Sequence, residues 1–289
     1  IIGVRPDIIR AAALNQAFSN YEETLETRFI HTGQHYDPEL SQDLIEELNL
    51  SPIYTYLAFE GGDNARQLAS LMVAYEDQIM VDPPDLVLVI GNSNSALACT
   101  LTAARHGIQV GHIDAGIRGT DKEQIEVQND VLIDRISTFL FTSNEESVIN
   151  LIREGFENSQ IIEVGNIRSD AVFSNLGHAE DSLILDQSGL REHAYVLLTL
   201  HHSPIMNQPQ FLSALFMLLE ELSERIMIYA VLHPGTLQKL ESMPELMLDS
   251  TSNLQIVSSR NYFDMLKLIK SSAMVITDSQ GIQEESSLL

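Results

Sequence analysis

Apolar residues follow two rhythms along this chain. Short runs of strand length, rich in Val, Ile and Leu and bounded by Pro, Gly or Asn, alternate with longer stretches where apolar residues recur every three or four positions. Asp85 to Arg118 is the clearest case: a strand (Leu86 to Ile90), a small-residue loop (Gly91 to Ser95), a helix (Ala96 to His106), a second strand (Gln109 to Ile113) and an acidic loop. Apolar runs of this kind suit parallel strands covered on both faces. Before it, strands are expected at Thr27 to His31 and Tyr54 to Leu57, with helices at Asp7 to Asn15 and Asn64 to Met80. The second helix carries Leu68, Leu71, Met72, Tyr75 and Ile79 on one stripe, as a helix lying on a sheet does. After it come helices Glu126 to Ile136 and Glu145 to Glu154, with strands Phe139 to Phe141 and Ile161 to Val164.

From Asn175 to Glu192 the sequence is polar and without clear period, and the linker is placed there. Strands then follow at Tyr195 to Leu200, Ile226 to Val231, Leu254 to Val257 and Ala273 to Thr277. The clearest helix among them puts Phe211, Leu215, Leu218, Leu219 and Leu222 on one face. Strand–helix alternation throughout predicts two doubly wound α/β domains, 1–175 and 193–289, joined by a linker at 176–192. The second sheet stops a few residues into a helix, so an incomplete second domain is expected.

The 289 residues are 44% hydrophobic, enough for two cores, and no apolar run is long enough to cross a bilayer. Sixteen basic residues against 41 acidic ones leave a net charge of -25, which argues against nucleic acid or an anionic membrane surface as partner. The single cysteine, Cys99, forms no internal disulfide, so a reducing cytoplasm is the default. No basic-then-apolar leader is expected from its opening residues.

In open α/β sheets, ligands bind beyond the carboxyl ends of the strands. Those ends carry Asn92 to Ser95 after one strand and Asp114 after the next, and the chemistry is expected there. Arg5 and Arg10 flank a helix N-terminus, where free N–H groups and the dipole favour anions; two solvated arginines are an equally good reading. His31 and His35 straddle a strand-to-turn junction and read as structural, and no metal-ligand cluster stands out.

Several strand-end segments together resemble the UDP-N-acetylglucosamine 2-epimerase family. They are GVRPDIIR (3–10), TGQHYD (32–37), GHIDAGIR (111–118), NDVLIDRIS (129–137), VGN (164–166), LHH (200–202), LHPGT (232–236) and TDSQGIQEES (277–286), in the family's order. The resemblance implies two Rossmann-like domains in the GT-B arrangement, a UDP-sugar substrate held in the cleft between them, no cofactor and a homodimer. It also implies a reaction in which UDP leaves C1 of the sugar while a base takes the C2 proton, followed by protonation on the other face and readdition of UDP. By position, Asp114, Glu126, His201 and Arg10 match the family's catalytic groups, with Asp where a Glu and Arg where a Lys is usual. Arg5, Asn92, His233, Ser279, Gly281 and Glu285 match its substrate-binding groups.

Further positions depart from the pattern the resemblance implies. Asn92 stands for a strand-end Asp, Val127 for the second Glu of a pair, Asp130 for an Arg, His202 and Ser203 for arginines that usually follow the His of the second domain, and Gln280 for a Gly of the phosphate turn. An amide is no general base, and Asp130 reverses a charge in a site built for an anion. Two readings stand: an epimerase, non-hydrolysing rather than hydrolysing, or a diverged relative that binds a UDP-sugar without turning it over. A glycosyltransferase would need an acceptor site, which nothing in the sequence suggests.

Overall fold

The computed structural model describes residues 1–33, 38–50, 52–57, 63–200, 208–241 and 253–289. They divide into two compact units, Ile1–Ala171 and Val172–Leu289.

The first unit opens with α1 (Arg5–Phe18) and a 3-10 turn, then β1 (Phe29–His31), α2 (Pro38–Glu47), β2 (Ile53–Tyr56) and α3 (Asn64–Val81). It continues with β3 (Leu86–Ile90), α4 (Asn94–Arg105), β4 (Gln109–Ile113), α5 (Ile125–Ile136), β5 (Phe139–Thr142), α6 (Glu145–Arg153), β6 (Ile161–Glu163) and the start of α7 (Ile167–Glu180). Its sheets run β1-β2 and β3-β4-β5-β6, with every pair parallel. Ile2 bridges His31, and the Ile1 nitrogen donates to the Leu88 carbonyl (2.8 Å), so residues 1–2 link β1 to β3. The chain's first residues thus make a single bridge and no strand.

Local chemistry sets these boundaries. Ser93 accepts from the Ala96 N–H (3.2 Å) and caps α4, and Asn144 does the same for α6 through Ser147 (2.9 Å). The small residues of α4 let it lie close on the sheet: Ala96, Ala98, Cys99 and Ala103 are buried, and three of them join Val87, Val89 and Val110 in one core with Tyr75 and Ile79 of α3. Burial pushes the Cys99 thiol up to about 12, which keeps it inert.

The second unit contains most of α7, then α8 (Ile184–Ser188), β7 (Tyr195–Leu200), α9 (Pro209–Ser223), β8 (Met227–Leu232), α10 (Pro234–Glu241), β9 (Leu254–Ser258), α11 (Tyr262–Ser271), β10 (Met274–Thr277) and α12 (Gln280–Leu288). Its parallel sheet runs β10-β7-β8-β9. All six residues of β7 are buried because both faces are covered. Val196, Leu198 and Leu200 meet α9 on one face, while Tyr195 and Leu197 meet α8 and α11 on the other.

Two sequence expectations change in this unit. On α9 the buried apolar residues are Leu212, Phe216 and Leu219, with Leu215 and Leu222 packed against them; Phe211 and Leu218 are exposed, Leu218 at 61%. This helix is apolar almost all round, so its sequence has no polar stripe to orient it. The stretch placed as a linker holds the end of α7 and all of α8, and Ile184, Leu185 and Leu190 are buried in the second unit's core.

Candidate active site

The carboxyl ends of β3 and β4 meet α1 and α5 around one turn, Gly91–Asn92. Gly91 has φ +65°, and a Cβ there would lie 3.2 Å from an Arg10 guanidinium nitrogen. Glycine therefore leaves room for Arg10, which forms an ion pair with Asp114 (Nη1 to Oδ2, 3.2 Å). Asp114 is itself left-handed (φ +68°), which costs a non-glycine residue about 1 kcal/mol and turns the chain sharply off the end of β4. Two residues on, Gly116 has φ +80°, and a Cβ would stand 2.4 Å from the Ser147 carbonyl oxygen, so α6 comes against bare backbone there.

Beneath Arg10 lies Asp7, almost fully buried. It accepts from the Gly3 and Val4 N–H groups (3.0 and 3.1 Å), closing the start of α1. Burial pushes its carboxyl up to about 6, against the pull of Arg10 and those two N–H groups.

Helix α5 clamps the turn from the other side with three side chains. Asn129 donates to the Asn92 carbonyl (2.9 Å) and to Asn94 Oδ1 (3.1 Å). Asp130 accepts from Asn92 Nδ2 (2.9 Å). Asp134 lies 2.6 Å from His112 Nδ1, whose Nε2 faces the Gly91 carbonyl at 3.0 Å. Asp134 also accepts from the Gly116 N–H (3.1 Å) and pairs with Arg118 (2.8 Å), which grips Glu154 with two bonds of 2.8 Å. Burial, opposed by the Asn92 amide, pushes the Asp130 carboxyl up to about 6.

Of the sequence candidates in this unit, Arg10, Asp114 and Asn92 come together, with Arg5 on the first turn of α1. Glu126 sits exposed on the first turn of α5, and no hydrogen bond or ion pair ties it to the Arg10–Asp114 or Asn92–Asp130 pairs. Val127 fills the space beside Gly119. Asp7, Asn129, Asp134 and Arg118 were not singled out from the sequence. The signal for Asn129 and Asp134 is present in NDVLIDRIS, where they and Asp130 are buried along one side of α5.

In the second unit the strand ends carry polar groups of another kind. His233 follows β8; its Nδ1 accepts from the Gly235 N–H (3.1 Å) and its carbonyl from the Thr236 N–H (2.8 Å), opening α10. At the end of β10, Thr277 accepts from Thr199 (2.6 Å) and from the Ser279 N–H (3.0 Å), so the turn into α12 is fixed. Ser279 is the N-cap of α12, Gly281 lies in its first turn, and Glu285 is buried one turn further on. Gln280 is exposed. His35, His201, His202 and Ser203 lie outside the described residues. Among the described residues no group of three or more His, Cys, Asp or Glu is placed to hold a metal ion.

The sequence pattern of the UDP-N-acetylglucosamine 2-epimerase family matches residues 18–289. This chain belongs to that family. The UDP-N-acetylglucosamine 2-epimerase of Methanocaldococcus jannaschii is 32% identical, over all of this chain and 80% of its own length. A UDP-2,3-diacetamido-2,3-dideoxy-D-glucuronate 2-epimerase of Pseudomonas aeruginosa is 30% identical, over 99% of this chain and 79% of its own. A crystal structure of the M. jannaschii epimerase in complex with UDP-GlcNAc and UDP matches with a TM-score of 0.87 at 31% identity, covering 99% of this chain and 80% of that one. The fold class is thus that of the GT-B epimerases. Asn92 and Asp130, two of the positions expected from the resemblance to depart from the family, are in direct contact.

Proposed function

We propose that this chain is a UDP-N-acetylglucosamine 2-epimerase that interconverts UDP-GlcNAc and UDP-ManNAc. The observation that carries the reading is the Asp114 carboxylate, held by Arg10 beside the Gly91–Asn92 turn in a chain of this family. Breaking the C2–H bond leaves an electron pair that forms the C1–C2 double bond as the C1–O bond breaks and UDP departs. The step needs a carboxylate for the proton and cations or N–H donors for the diphosphate.

In this reading Asp114, steadied by Arg10, handles the C2 proton, with Glu126 and His201 as further catalytic groups. Arg5, His233, Ser279 and Gly281 bind phosphate, the last two at the N-terminus of α12, where free N–H groups favour an anion. Glu285 takes the ribose hydroxyls, and Asn92 binds the sugar. Readdition of UDP, not attack by water, completes the cycle. The homodimer implied by the resemblance and the cytoplasm suggested by a lone, buried cysteine belong to the same reading.

Incubation with UDP-GlcNAc should give an equilibrium mixture with UDP-ManNAc and no free sugar, followed by chromatography of the nucleotide sugars. Asp114→Asn should lower kcat by about 10²–10⁴-fold. Ligand-induced stabilisation without conversion would identify instead a relative that only binds.

A further inference from the structure

The Gly91–Asn92 turn has nearly all its polar groups engaged. The Gly91 N–H donates to the Ile113 carbonyl (3.2 Å), the Gly91 carbonyl faces His112, and the Asn92 carbonyl accepts from Asn129. Asn92 Nδ2 is given to Asp130. Its Oδ1 takes no hydrogen bond among the described residues, and Asn92 is half-buried at the mouth of the turn. Asp130 is only 4% exposed, and among the described residues its carboxylate takes a hydrogen bond from that neutral amide alone. Asp134, one turn along α5, is by contrast supplied by His112, Gly116 and Arg118.

An amide has an acceptor edge and a donor edge, and its partner decides which one is presented. A carboxylate accepts only, so it draws Nδ2 inward; a carboxylic acid donates, and its O–H is best met by Oδ1. We infer that Asp130 is a positioning residue: ionised, it holds the Asn92 amide with Oδ1 outward, and protonated, it turns the amide over to present Nδ2. The outward oxygen suits a donor on the sugar, a hydroxyl or the acetamido N–H, and this assignment of ligand rests on the proposed function. The groups facing Asp130 are Asn92 from the β3 turn, His112 from β4, Arg118 beyond it and Asp134 on α5. Burial outweighs the pull of Asn92, His112 and Arg118 and sets the switch near pH 6.

The test has two arms. In 15N-labelled protein, the side-chain amide signals that vanish in Asn92→Ala should shift with pH around a midpoint near 6, and should lose that titration in Asp130→Asn. With UDP-GlcNAc, KM should rise about tenfold below the midpoint while kcat moves less, and Asp130→Asn should flatten the profile. Asn92 signals indifferent to pH in the wild-type protein would overturn the inference, and so would a KM inflection that survives in Asp130→Asn. If folded wild-type protein does not turn over UDP-GlcNAc, the proposed function fails while the amide titration still decides the role of Asp130. Because that titration is read on the wild-type chain, it decides even where a variant does not fold.

Discussion

Against the pattern the resemblance implies, Asn92 in isolation lacks a carboxylate, and Asp130 in isolation puts a negative charge where a positive one is expected. At 2.9 Å from each other they form a donor and an acceptor, and the carboxylate of this pair comes from the helix and not from the strand. Arg10 and Asp114 form a second such pair. In the pattern the resemblance implies, a longer cation meets a shorter acid, and here the contact is made at 3.2 Å. Pairs of this kind should couple. Asn92→Asp alone sets two carboxylates face to face, and Asp130→Arg alone crowds a cation toward Arg118 and His112. Each should destabilise by about 1–3 kcal/mol, and the double variant should recover much of the loss, a coupling of about 1–3 kcal/mol in urea unfolding. Additive losses would show that the two side chains do not act as a pair.

At the scale of elements, strands were more legible than helix faces. The sequence boundaries of β3 and β4 agree with the structure, because each is a short apolar run with abrupt polar ends. α9 misled because leucines surround it, and only the neighbouring sheet selects Leu212 and Phe216 over Phe211 and Leu218. Leu212→Ala should therefore cost about 2–5 kcal/mol, whereas Leu218→Ala should stay within about 0.5 kcal/mol, both by denaturant titration. Equal losses would return the buried face to the one read from the sequence. The site was legible in part. Asn92 and Asp114 stand just past strand ends and Arg10 in the second turn of α1, where position alone makes them candidates. The contacts made by Asn129, Asp130 and Asp134 depend on which side of α5 faces the β3 turn, and that is set by packing between elements distant in sequence.

For the whole molecule, a net charge of -25 sits oddly with a diphosphate ligand. Arg10 and Arg118 are each engaged with carboxylates, so under the proposed function neutral donors carry much of the phosphate binding, foremost the N-terminus of α12. What that function requires above all is that the chain break and remake the C2–H bond of UDP-GlcNAc, Asn92 and Asp130 notwithstanding. Proton NMR reads this at the bond itself, as deuterium entering C2 when UDP-GlcNAc is incubated with the unmodified protein in heavy water. The expected result is loss of the C2 proton signal in both UDP-GlcNAc and UDP-ManNAc, greatly slowed in Asp114→Asn. A C2 proton that persists in the presence of folded, UDP-binding protein would contradict it.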